Sequence, residues 1–237
     1  MRRVSVLAAV LAVSTMFTAT TIAQPKKDGS KPVGRTVKGT VKVLEADGKT
    51  EAPDVEVVLY VVGPPDEPGK PVIGATVVQT NDRKFVPDLV AITSNEKVVF
   101  PNGGKLLHNV FSSKPKFDLG SFEKGEKKDS GDAFKNYRGT AEIYCNIHPE
   151  MAATVLVLPN PYHASLDKKS KAFTIANVPP GKWKLYAYTR RMEKPAALEI
   201  DTTGGDVTKD ITITRGAGTK HLNKYGEKYK EPGKGYP

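Results

Sequence analysis

Between its two ends this chain offers no run of apolar residues at the spacing of 3, 4 and 7 that lets a helix bury one face, while short alternating or β-branched runs recur from residue 35 to residue 214. That pattern restricts the chain to an all-β fold. Strands are expected over 35–44, 54–62, 72–79, 88–92, 97–100, 109–112, 139–145, 152–158, 172–175, 182–188, 196–201 and 207–214, with Gly, Pro, Asn and Asp between them. Twelve short strands are more than one sandwich of seven or eight uses, so two sandwich units are expected. Gly (21) and Pro (18) make up about a sixth of the 237 residues, short of the level that marks low-complexity disorder. The seam between the units is expected at Pro159-Asn160-Pro161, because two prolines in three residues end the strand before them.

The ends read differently. Arg2 and Arg3, a mostly apolar run from Val4 to Val13 and small residues up to Ala23 form an export signal over 1–23. The Arg pair suits a twin-arginine signal, but Val4-Ser5-Val6 continues it poorly, and the ordinary secretory route is favoured. The run falls short of the roughly 20 apolar residues of a membrane span, and no cysteine follows the signal for lipid anchoring. A periplasmic or secreted protein is therefore expected. The net charge of +10 falls to +8 once the two signal arginines are removed. Half of that lies in 215–237, where six Lys/Arg and two Glu sit among Gly and Pro with almost no aliphatic residues. This stretch reads as a basic, disordered, solvated tail. Nucleic acid is not an expected partner in that compartment.

Chemistry concentrates in Tyr144-Cys145-Asn146-Ile147-His148-Pro149-Glu150-Met151. With one cysteine in the chain, no internal disulfide, zinc ribbon or iron–sulfur cluster can form. A thiolate, an imidazole and a thioether within seven residues are instead soft and borderline donors that suit copper in both oxidation states. A fourth donor is needed, and His108, following Gly103-Gly104 at the start of an expected strand, supplies it. His108, Cys145 and His148 would be the strong trigonal set and Met151 the weak axial contact. One loop then carries three ligands while His108 fixes them to a separate strand. His163 and His221 have no soft neighbour in sequence and read as surface histidines. Trp183 and Tyr186 read as core or rim of the second sandwich.

The pattern F-P-N-x-x-x-x-x-H-N-V at 100–110 followed by Y-C-x-x-H-P-x-M at 144–151 resembles the cupredoxins, the plastocyanin and amicyanin family of small blue-copper proteins. The short Cys-to-Met loop is most similar to amicyanin. Phe117-Asp118-Leu119-Gly120 and Asn160-Pro161-Tyr162 resemble plastocyanin-like proteins with an appended module, and Asn177-Val178-Pro179-Pro180-Gly181-Lys182-Trp183 resembles the turn of carboxypeptidase-regulatory-like or prealbumin-like sandwiches. The resemblance implies a Greek-key cupredoxin sandwich plus a second, smaller β-sandwich. It also implies that Asn109 ties the two ligand loops together. Asn146 stands where the family often has Thr or Ser, which leaves that tie open. The resulting division is a signal at 1–23, a linker at 24–36, N-terminal strands at 37–65 that belong either to the central domain or to the second sandwich, a cupredoxin domain at 66–158, a prealbumin-like module at 159–214 and the tail at 215–237.

Cys145 and His148 also suit a nucleophile and its base, but no oxyanion-hole signature accompanies them and Met151 and His108 would go unexplained. Four histidines cannot furnish a multicopper oxidase, and Met is a poor zinc ligand. No enzyme activity is expected. The reading is a one-copper electron carrier between protein redox partners, with the edge of His148 between Ile147 and Pro149 as the transfer port. The alternative is a copper-binding or cell-surface interaction module without electron transfer.

Overall fold

A computed structural model describes residues 34–63, 73–79, 82–218 and 220–229. The export signal at 1–23 and the last residues of the tail, 230–237, lie outside them. The described residues are all strand and turn, and no helix among them is long and apolar enough to cross a membrane.

Among the described residues eighteen strands follow in order: β1 (Arg35–Leu44), β2 (Val57–Val62), β3 (Ile73–Thr76), β4 (Val78–Gln79), β5 (Phe85–Val86), β6 (Leu89–Thr93), β7 (Lys97–Pro101), β8 (His108–Ser113), β9 (Lys116–Phe122), β10 (Lys127–Asp129), β11 (Gly139–Tyr144), β12 (Ala152–Leu158), β13 (His163–Ser165), β14 (Ala172–Val178), β15 (Lys182–Thr189), β16 (Ala196–Asp201), β17 (Val207–Thr208) and β18 (Ile211–Thr214). The expected strands 35–44, 152–158 and 196–201 form with those bounds. The run 207–214 is broken in two around Lys209 and Asp210. β5, β9, β10 and β13 are strands that the sequence reading does not anticipate.

Two pairs of sheets enclose two cores. In the first, β14-β1-β17 with β18 beside β1 covers β13-β2-β15-β16, and between them lie Val37, Val41, Leu59, Val61, Phe173, Ile175, Trp183, Leu185 and Ile213. The strands that precede residue 63 therefore pair with strands that follow residue 162: β1 runs antiparallel to β14 with Gly39 opposite Phe173, and β2 antiparallel to β15 with Tyr60 opposite Tyr186. In the second, β10-β7-β3 covers β6-β12-β11-β8-β9 around Val98, Phe100, Val110, Phe122, Ile143 and Val155.

β2 and β12 explain how the two cores are joined. Strands covered on both faces read as continuous apolar runs, where half-buried ones alternate. In β2, Val57, Leu59 and Val61 enter the first core while Val58 and Tyr60 face the other way. In β12, Val155 and Val157 enter the second core while Leu156 and Leu158 face outward. These outward residues meet one another, with Leu89 and Tyr188, in a third buried cluster. Each such side chain contributes about 1.5–3 kcal/mol by leaving water. At the Pro159-Asn160-Pro161 seam, fully buried Asn160 donates through Nδ2 to the Val61 carbonyl at 2.9 Å.

Candidate metal centre

Cys145 directly follows β11, and β11 pairs antiparallel with β12 so that Tyr144 stands opposite Ala152. The residues between must turn within that hairpin end. Met151 N–H donates to the His148 carbonyl at 3.0 Å, and Cys145 N–H to the Met151 carbonyl at 3.3 Å. The turn thereby folds His148 back over Cys145. His108 arrives at the first position of β8, next to β11 in the same sheet. Its approach is set by Asn102, whose Nδ2 donates to the Leu106 and Phe122 carbonyls while its Oδ1 accepts from Gly104 N–H.

Three of the four expected ligands converge. His108 Nδ1 and His148 Nδ1 lie 3.1 Å apart, Cys145 Sγ lies 3.8 Å from His148 Nδ1, and one donor atom from each residue fits within 4.8 Å of the others. His108, Cys145 and Met151 are fully buried and His148 is half-buried. Met151 is held in the same turn by both backbone bonds above. His163 and His221 do not join the cluster.

Asn109 is the hub between the two loops. Its N–H points at Cys145 Sγ at 3.4 Å, its Nδ2 donates to Asp118 Oδ1 at 2.8 Å and to the Gly120 carbonyl at 3.1 Å, and its Oδ1 accepts from Asn146 N–H at 3.1 Å. The Asn at 146 therefore keeps the tie through its backbone. Burial pushes the Cys145 thiol above its ordinary range against the pull of the Asn109, His148 and Ile147 N–H groups. Burial, aided by Arg83, holds His148 below the usual imidazole range, and so favours the neutral ring that a metal needs.

The donor chemistry fits a metal ion. Two neutral imidazole nitrogens and a sulfur face one point, and a cation there would stabilise the thiolate that burial alone disfavours. Asn109 N–H is already in place to bond that thiolate. Beside half-buried His148 both apolar and charged groups reach the surface: Ile147 is 37% exposed, and the exposed Arg83–Glu150 ion pair, 3.3 Å long, acts electrostatically on the ring.

Residues 220–229 depart from the expected disordered tail. The His221 ring stacks on Tyr144 with centroids 3.8 Å apart, and its Nε2–H donates to the Pro149 carbonyl at 2.7 Å. Lys224 N–H donates to Asn146 Oδ1 at 3.0 Å, Lys224 Nζ pairs with Asp118 at 2.8 Å, and Tyr229 Oη–H donates to the Cys145 carbonyl at 2.9 Å. Asn223 is buried and caps a turn by accepting from Tyr225 and Glu227 N–H groups. His221 is thus a partly exposed histidine packed against the loop and outside the cluster, and half-buried His163 sits in β13 with its pKa held down by burial. The local signal for this structure is Asn223-Lys224-Tyr225-Gly226, a turn sequence.

No family model matches the chain, and no curated protein matches its sequence. Among solved structures it is similar to a purple cupredoxin from Nitrosopumilus maritimus, at 20% identity over 35% of this chain and 99% of that one, with a TM-score of 0.31. It is also similar to the oxidized form of an amicyanin mutant, at 18% identity over 42% of this chain and 99% of that one (TM-score 0.32). Amicyanin from Paracoccus versutus matches at 23% identity over 42% of this chain and 98% of that one (TM-score 0.30). Each match leaves more than half of this chain uncovered.

Proposed function

We propose that this chain is an extracytoplasmic electron carrier in which His108, Cys145 and His148 would hold one copper ion, with Met151 as a weaker fourth donor. The observation that carries the reading is the convergence of two imidazole nitrogens and one sulfur within 4.8 Å on two loops tied through Asn109. Copper bound there supplies a one-electron couple. The chain's own residues do the rest. Asn109 N–H steadies the negative charge on Cys145 sulfur. The backbone bonds among Cys145, His148 and Met151 hold the loop in one shape, which limits rearrangement when charge changes. Exposed Ile147, next to His148 in the chain, offers an apolar contact for protein redox partners. Export to the periplasm or beyond follows from the signal at 1–23. The cupredoxin unit is assigned to 66–158, and 37–65 with 159–214 to a prealbumin-like sandwich, a division supported by the pairing of β1 and β2 with β14 and β15.

Titration of the purified protein with copper(II) should give one equivalent bound and an intense visible band from the sulfur–copper bond. Cys145→Ser should remove the band, and a variant that kept it would refute the site. Voltammetry of the loaded protein should show a reversible one-electron wave. Copper uptake without that wave would favour the alternative, a storage or cell-surface module.

A further inference from the structure

The contacts of residues 220–229 are unevenly distributed. Their hydrogen bonds go to the carbonyls of Cys145 and Pro149, to the side chain of Asn146 and to Asp118. Toward Phe111 and Phe117, by contrast, the segment leaves a groove of about 910 Å³. A tail packed only to cover apolar surface would close that groove and leave the polar loop to water. This one bonds the polar loop and leaves the groove open, with the His221–Tyr144 stack as its aromatic contact.

One contact holds a candidate ligand's own backbone, and the others fall on residues adjoining the candidate ligands or on the Asn109 network. Cys145 and His148 are both candidate ligands; the segment holds the carbonyl of the first and the residue that follows the second. Lys224 acts twice: its N–H holds Asn146, and its Nζ holds Asp118, whose other oxygen receives the Asn109 side chain. Asp118 is shared between the hub and the segment. Desolvation opposes its charge, but its hydrogen bonds from Lys224, Gly120 and Asn109 prevail and keep its carboxyl below the ordinary range. The chain that leads into the segment is tied to the first sandwich, where Arg215 N–H donates to the Leu44 carbonyl and Gly216 N–H to that of Arg191, each at 2.9 Å.

We propose that His221, Lys224 and Tyr229 are positioning residues that clasp the Cys145–Met151 turn from outside its own sandwich and set the placement of Cys145 and His148. The proposal rests on the reading of those two as metal ligands. Asn146 belongs to the same device. Its side-chain oxygen reaches Lys224 N–H while its backbone serves Asn109; a Ser in its place, whose oxygen sits one bond closer to the backbone, would fall short of the first and keep the second.

The test compares the full chain with a form ending at Gly218 and with Asn146→Ser and Tyr229→Phe. The first readout needs no metal: amide exchange at Asn146, Cys145 and Met151, whose N–H groups are bonded within the site, against Val41 in β1 as a control. Truncation should speed exchange at the three loop amides about tenfold and leave Val41 unchanged, with smaller effects from the single variants. The second readout is the rate at which excess chelator strips copper, together with the reduction potential. Loss should be about tenfold faster after truncation and the potential shifted, with the visible band retained. Unchanged exchange, loss rate and potential in the truncated form would overturn the clasp while leaving a coloured, redox-active site intact. Accelerated loop exchange on truncating a chain that takes up no copper at full length would overturn the electron-carrier reading and leave the clasp standing.

Discussion

Asn109 shows how much one side chain does here. Its amide group spans Asp118, Gly120 and Asn146, so Asn109→Ala strands acceptors and a donor in a largely buried place, at a cost of about 1–3 kcal/mol. The urea midpoint should fall and copper should leave faster, although the backbone N–H toward Cys145 survives. Asn109→Asp should be worse at neutral pH, because a second carboxylate would face Asp118. His163 gives a pH prediction. Its folded pKa lies below that of the unfolded chain because burial disfavours the charged ring. The resulting stability is present above the unfolded value near 6.5 and is lost as pH falls through the folded value. Melting temperature should drop on acidification through that window, and His163→Gln should flatten the drop. At this scale the candidate ligands were legible because thiolate, imidazole and thioether are rare and chemically particular. His221, Lys224 and Tyr229 were not, because their polar bonds to loop carbonyls and side chains follow no periodicity and sit within a run that composition marks as solvated.

At the scale of elements, most of the strands that were legible have a buried face to mark them. β12 reads as an unbroken apolar run because both its faces are covered, and β1 buries Val37, Val41 and Val43, whereas β16 stands out by its aliphatic residues although only Ile200 of it is buried. β10, the Lys127–Asp129 strand, and β13, His163–Ser165, have no such residues, and β9 bends at Gly120 where φ is +72°. Their strand state comes from their neighbours' hydrogen-bonding edges. Pairing partners were likewise harder to read than strands, since β1 finds β14 across the whole second sandwich and alternation alone names no partner. Close approach is decisive at Gly39, where an added Cβ would overlap the Lys209 carbonyl oxygen. Gly39→Ala must therefore push β1 away from the Lys209–Asp210 break between β17 and β18. Overpacking of this kind costs about 1–3 kcal/mol. The urea midpoint should fall accordingly, with the visible band of copper-loaded protein unchanged.

The whole molecule is bound through the cluster of Val58, Tyr60, Leu89, Leu156, Leu158 and Tyr188 and through Arg190, which donates to Asp88, Thr154 and the Ala152 carbonyl. Burial shared between two cores couples their unfolding. Calorimetry should show one transition with equal calorimetric and van't Hoff enthalpies. Leu156→Ala combined with Tyr188→Ala, each removing about 2–5 kcal/mol from that seam, should split it in two; a double variant that still melted in one step would count against the coupling. The parallel pairing of β1 with β18, from Val41 beside Ile211 to Leu44 beside Thr214, carries a mechanical consequence. The chain leaves the start of one strand and the end of the other in opposite directions, so tension applied through Arg35 and Thr214 slides the strands along each other. Their hydrogen bonds then bear the load together instead of opening one after another, and a protein tethered by its ends would yield abruptly, at high force, after the segment beyond residue 215 had peeled away.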